Sequence, residues 1–153
     1  MQPSTLELTF EIEPKAVQSA RFFRRGAAIC SFQPQKVVDY KKNLRIQAIN
    51  QLPQGFQPFN EPLMLQAEIA FAPPQSMRKR DYKRMVDGEV IPKATRPDVD
   101  NLTKGLFDAM NKVLWVDDAL VVDYHIRKRY AETPFIRISV SPFASCAPGD
   151  SLL

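Results

Sequence analysis

The chain has 153 residues, of which 44% are hydrophobic and 25% charged. That mix suits one globular domain with its own core and excludes a disordered chain, a fibrous repeat or a disulfide-stapled miniprotein. Lys and Arg number 21 against 17 Asp and Glu, a formal charge of +4, and no apolar run approaches the roughly 20 residues of a membrane span. Cys30 and Cys146 are the only cysteines. Their spacing makes neither a zinc site nor a disulfide framework. With no signal peptide visible, the expected setting is the cytoplasm, with both thiols free.

In chain order, Thr5–Ile12 alternates, with Leu6, Leu8, Phe10 and Ile12 on one side, and predicts a half-buried strand. "RFFRRGAAICSF" predicts a β-hairpin turning near Arg25–Gly26. Between Pro34 and Pro53, Val37, Tyr40, Leu44 and Ala48 recur at helical spacing, so a helix is expected with its lysines and Arg45 outside. Leu63–Ala72 predicts a buried strand. The stretch from Pro73 to Arg96 is irregular, with a short basic helix expected around Met77–Met85 and a turn at Asp87–Gly88. Val99–Leu114 predicts an amphipathic helix with Leu102, Leu106, Ala109, Met110 and Val113 on one face. "LVVDYHIRKRY" and "FIRISV" predict two more strands, joined by "AETP" as an antiparallel hairpin. The expectation is an α+β domain over residues 1–141, a mixed sheet of about four main strands with two principal helices. An irregular tail is expected over 142–153.

Charge is distributed unevenly. From Pro14 to Arg45, eight bases (Lys15, Arg21, Arg24, Arg25, Lys36, Lys41, Lys42, Arg45) meet one acid, Asp39, a local +7. From Pro73 to Arg96, seven bases, among them Arg78, Lys79 and Arg80, meet three acids, a local +4. Two basic zones point to a polyanionic partner; a merely solvated surface is the plain alternative. Phe22 and Phe23 lie within Arg21–Arg25 and suit stacking on bases or wedging between them. Strand alternation predicts one phenylalanine in the core and one outside.

Against this basic background, "RPDVDNLTKGLFDAMNKVLWVDD" gathers Asp98, Asp100, Asp108, Asp117 and Asp118. Each has a structural reading. Asp98 suits an N-cap, Asp100 suits the helix dipole, and Asp108 suits pairing with Lys104 or Lys112. Together, two carboxylates at a helix start, a lysine one turn on and a carboxylate at a strand mouth suit a divalent metal, which takes oxygen ligands. Asp98 and Asp100 meet only if Asp98 lies in the non-helical lead-in that Pro97 favours. Gly105, costly in a helix, suggests a close approach there. Trp115 reads as core, and His125, the single histidine, as a surface strand residue.

The order Pro-Asp-x-Asp-Asn-Leu-x-Lys, an Asp-Ala on the same helix, then Trp-x-Asp-Asp before a strand resembles the signature of RusA-type Holliday junction endonucleases. "ARFFRRG" resembles the family's basic-aromatic stretch. The resemblance implies a RusA-like fold and a homodimeric Mg²⁺-dependent endonuclease, with Mn²⁺ able to substitute. It implies paired, symmetric nicks in four-way DNA junctions. Asp98, Asp100 and Asp118 would bind the metal, with Lys104 the supporting lysine, able to contact the scissile phosphate. Asn101, Asp108 and Asp117 also match, as support. Arg21, Phe22, Phe23, Arg24, Arg25, Lys41, Lys42, Arg78, Lys79 and Arg80 would face DNA. A phage or prophage setting and a role in recombination and repair go with the resemblance. Two other readings stand beside it: a non-catalytic module binding branched DNA, and a nuclease for forks and flaps.

Overall fold

The computed structural model describes residues 4–18 and 21–144. Five strands make the main sheet: β1 (Leu6–Phe10), β4 (Leu63–Phe71), β5 (Ile91–Pro92), β6 (Val121–Tyr130) and β7 (Phe135–Pro142), in the order β1-β7-β4-β6-β5. β4 and β6 run parallel and the other pairs antiparallel. Alternation works as expected in β1, where Leu6, Leu8 and Phe10 are buried and Glu7 and Thr9 exposed. The expected β6–β7 hairpin does not form. β4 lies between the two strands and pairs with both, and Ala131 N–H donates to Phe71 O where the chain crosses the end of β4. β4 buries Leu63, Leu65, Ala67, Ile69, Ala70 and Phe71. Four linking residues suffice to pass one strand about 5 Å wide.

Helices α1 (Gln35–Gln51) and α3 (Val99–Met110) cover one face. α1 buries Tyr40, Leu44 and Ala48 as its spacing predicts. Its Gln51 side chain accepts from Thr9 N–H at 2.9 Å and donates to Thr9 O at 2.8 Å, so side chains occupy the open edge of β1. α3 buries Leu102, Leu106, Ala109 and Met110 but ends four residues earlier than expected. Lys112 adopts φ 64°, and its N–H bonds Trp115 O at 2.7 Å. This turn sends Leu114 and Trp115 into the core, both fully buried. The third helix, α2 (Lys79–Val86), is the short basic one expected in the irregular stretch.

A β-carbon on Gly105 would stand 2.5 Å from Cγ2 of Val17. Val17 is fully buried, and its N–H donates to Asn101 O at 3.1 Å. The close approach that Gly105 suggested is therefore the segment around Val17, laid across α3. Gly105→Ala gains about 1 kcal/mol of helix propensity but overpacks a stiff neighbour at about 1–3 kcal/mol. We expect a net loss of about 1 kcal/mol, read as a lower urea midpoint with an unchanged slope; a raised midpoint would contradict it.

β2 (Arg21–Arg25) and β3 (Ala28–Phe32) form a separate antiparallel ribbon. Gly26, at φ 66°, supplies the left-handed first position of its two-residue turn. The predicted split between the phenylalanines is wrong: Phe22 is 72% and Phe23 50% exposed. The ribbon leaves the sheet, so neither side chain has a core to enter. β7 runs to Pro142, one residue into the expected tail, and Phe143 N–H bonds Pro62 O. Cys146 and the rest of that tail from residue 145 lie outside the described residues.

Candidate active site

Asp98 occupies the N-cap position of α3 with extended backbone, φ −73° and ψ 150°, yet its side chain caps no helix N–H. The structural role that its position suggested is thus not the one it performs. Its lead-in is fixed from β6. Lys128 Nζ donates to Thr95 O and Pro97 O, both at 2.7 Å. Lys128 follows Tyr124 and Ile126 on the helix-facing side of its strand, a position that alternation alone identifies. Asp100 stands exposed in the first turn of α3, and Lys104 lies exposed one turn on.

The other end of α3 carries a second acidic group. Asp108 is held by Lys41 at 3.2 Å. Lys41 is itself buried, which removes it from the expected DNA surface: its aliphatic stem packs inward and its ammonium meets a carboxylate on another helix. Arg45 likewise turns to α3. Its Nε donates to Ala109 O and its Nη2 to Asp108 O, each at 3.2 Å, satisfying carbonyls that a helix C-terminus leaves unpaired. Asp117 accepts from Ala119 N–H at 2.9 Å and caps the short 3₁₀ turn Asp118–Leu120. Partial desolvation, then the Asp117 carboxyl bonded beside it, then Asp108, push the Asp118 carboxyl above the usual carboxylate range. Asp117 and Asp108 thus place further negative charge beside Asp118.

These carboxylates fall into two groups. Asp100 and Asp108 are eight residues apart, about 12 Å along a helix axis. Among the described residues no three His, Cys, Asp or Glu side chains lie close enough to hold a metal ion. The donors nevertheless fit a hard divalent cation in kind: all are carboxylates, and Asp98 is not engaged as a cap.

Of the side chains expected to face DNA, Arg21, Phe22, Phe23, Arg24 and Arg25 are exposed on the ribbon, and Lys42, Arg78, Lys79 and Arg80 are exposed on or beside α1 and α2. The sequence reading missed Ile29 and Phe32, which are 72% and 54% exposed on the same ribbon; they lie on opposite faces, so alternation does not single out the pair. The other face of the sheet carries a cleft lined by Glu7, Gln66, Glu68, His125, Arg127 and Arg137. Within it Arg127 lies 3.9 Å from Glu68. Glu68 bonds Arg129 at 2.7 Å, and His125 lies 3.3 Å from Asp123. His125 is exposed, as expected for a surface strand residue, on the face opposite α3.

The family model of the endodeoxyribonuclease RusA matches residues 11–141, a span that leaves out β1 and the last residue of β7 but holds the rest of the sheet and every aspartate of the acidic window. The chain belongs to the RusA endodeoxyribonuclease family. The α+β fold, with three helices on a mixed sheet, agrees with that membership, and membership makes the chain an endodeoxyribonuclease. Among its relatives, the uncharacterized protein YqaN of Bacillus subtilis (strain 168) is 26% identical over 136 residues, 88% of this chain and 94% of that protein. The crossover junction endodeoxyribonuclease RusA of Escherichia coli (strain K12) is 51% identical over 39 residues, 25% of this chain and 32% of that protein. The protein of that name from Shigella sonnei (strain Ss046) matches to the same extent. The match therefore spans about a third of the RusA enzymes that bear the name, and most of YqaN. No helix among the described residues is long and apolar enough to cross a membrane.

Proposed function

We propose that this RusA-family protein resolves four-way DNA junctions as a homodimer, cutting two strands symmetrically with Mg²⁺, for which Mn²⁺ substitutes. Asp98, Asp100 and Asp118 hold the cation. The observation that carries this reading is Asp98: it sits where a capping residue would sit, and its carboxylate caps nothing. Asp108 and Asp117, by contrast, have structural partners, which makes them supports rather than ligands. Lys42, Arg78, Lys79, Arg80 and the ribbon arginines hold the DNA backbone, as exposed bases do.

The separation along α3 bears on the dimer. Asp98 and Asp100 lie at one end of the helix, whereas Asp118 lies beside Asp108 at the other. In this reading the two copies meet so that Asp98 and Asp100 of one chain stand beside Asp118 of its partner. Two-fold symmetry then gives two equivalent sites, one for each strand to be cut. When bound, the cation supplies neutralisation of phosphate charge and a more acidic water. Lys104, one turn past Asp100, contacts the scissile phosphate and stabilises its charge as the attack proceeds. Lys128 keeps the lead-in to α3 from moving, so that Asp98 is presented in one geometry.

The test pairs a mass with a product map. Light scattering at micromolar concentration should give about twice 17.4 kDa. A labelled four-way junction should yield nicks at symmetry-related positions in opposing strands, while linear duplex, fork and flap substrates at equal concentration are cut more slowly. A monomer that makes paired nicks would refute the dimer. Equal cutting of forks or flaps would move the substrate assignment to branched DNA at large. Binding without any cutting would leave a DNA-binding module.

A further inference from the structure

The β2–β3 ribbon concentrates large apolar side chains on the surface, where Phe22, Phe23, Ile29 and Phe32 are all at least half exposed. Its register sorts them onto two faces. Phe22 pairs with Ser31 and Arg24 with Ile29 on one; Arg21 pairs with Phe32, Phe23 with Cys30 and Arg25 with Ala28 on the other. Phe22 and Ile29 are both 72% exposed, against 50% and 54% for Phe23 and Phe32, and Cys30 is half-buried. The face bearing Phe22 and Ile29 is therefore the outer one.

The chain approaches the ribbon from beside the carboxylates. Val17 is sealed against Gly105 and Tyr40 and bonded to Asn101 O, one residue from Asp100. Arg21 follows four residues later, a reach of at most about 14 Å. Residues 21–33 include three arginines and no acid. Two copies meeting ribbon to ribbon would oppose three arginines with three more, which is unfavourable; a polyanion suits them.

We propose that Phe22 and Ile29 form a wedge that enters the opened branch point of the DNA, while Arg21, Arg24 and Arg25 grip the flanking phosphates. This rests on the junction-resolving reading above. Apolar wedges enter base steps at the cost of unstacking them. At a branch point the stack is already interrupted, so the cost is least there and highest in continuous duplex. The wedge thus selects branched DNA and, because Arg21 lies within about 14 Å of Val17, holds the branch near Asp98 and Asp100. The arginines act on any DNA and supply no such selection.

The experiment uses the full chain in Ca²⁺, with a four-way junction carrying 2-aminopurine at the crossover and a linear duplex of equal length. Binding by the natural protein should raise the 2-aminopurine fluorescence. The double variant Phe22→Ala with Ile29→Ala should lose that rise and about tenfold of junction affinity, the scale of one or two base-stacking contacts. Its affinity for linear duplex and its mass in light scattering should stay as they were. Arg24→Ala with Arg25→Ala should weaken binding to both DNAs. The wedge is overturned if Phe22→Ala with Ile29→Ala keeps the full fluorescence rise. It is equally overturned if that variant becomes a monomer, which would make the ribbon a contact between copies, or if Phe23→Ala with Phe32→Ala alone abolishes the rise. A natural protein with no preference for the junction over duplex defeats the junction reading itself. A preference that the outer-face variant retains defeats only the wedge.

Discussion

Asp118→Asn folds, dimerises and binds a four-way junction, yet cuts it about 10³-fold more slowly than the natural protein in saturating Mg²⁺. The change keeps the size of the side chain and removes one charge. An amide is a poorer partner for Mg²⁺ than a carboxylate, and the several kcal/mol that a cation supplies at the transition state correspond to a rate loss of that order. Stability should move the other way. In the folded chain desolvation, Asp117 and Asp108 hold the Asp118 carboxyl above its usual range. Its ionisation therefore opposes folding once the pH exceeds the ordinary carboxylate range, and the cost is fully present above the raised value. Asp118→Asn removes that cost, so in EDTA at neutral pH it should melt at or above the natural protein, and the difference should fade in acid, where both forms are neutral. Asp117→Asn keeps an oxygen that can accept from Ala119 N–H and should lose less activity. Single-turnover nicking, binding titration in Ca²⁺ and melting separate these effects. An Asp118→Asn variant that cuts at the natural rate refutes the three-carboxylate site.

The shared site gives a second large effect. Asp100→Asn and Asp118→Asn should each be nearly inactive alone. Mixed and allowed to exchange, they form dimers in which one site pairs the intact Asp98 and Asp100 of one chain with the intact Asp118 of the other. The opposite site carries both substitutions. The mixture should recover nicking, with one cut for each junction rather than two, and with about half of the dimers being mixed. If each chain completed its own site, every site in the mixture would carry a substitution and no activity would return. Denaturing gels of a junction labelled on both cuttable strands, read at short times, distinguish the two outcomes.

The sequence carried the elements better than their arrangement. The apolar stripe of α3 and the motif along it are local, and both stand where spacing puts them. Gly105 announced a close approach, although only the fold identifies Val17 as the neighbour. The β6–β7 pairing failed because a short linker favours a hairpin locally, while the pairing of β4 with both strands is a property of the whole sheet. Lys41 failed because its partner, Asp108, lies 67 positions along the chain. Phe22 and Phe23 failed because alternation assumes a face with something to cover it, and the ribbon stands apart. For the acidic window, spacing revealed which carboxylates cluster in sequence. Their division between the two ends of α3 depends on where the turn at Lys112–Trp115 delivers Asp118, a tertiary fact.

One measurement bears most directly on the claim that these aspartates are a cation-dependent cutting site. The protein is assembled on a labelled four-way junction in EDTA, then given excess Mg²⁺, and nicks are counted over time in a single turnover. The account predicts an intact junction until the cation is added, then two symmetric nicks. Nicking in EDTA, or an intact junction after Mg²⁺ with binding still complete, would contradict it.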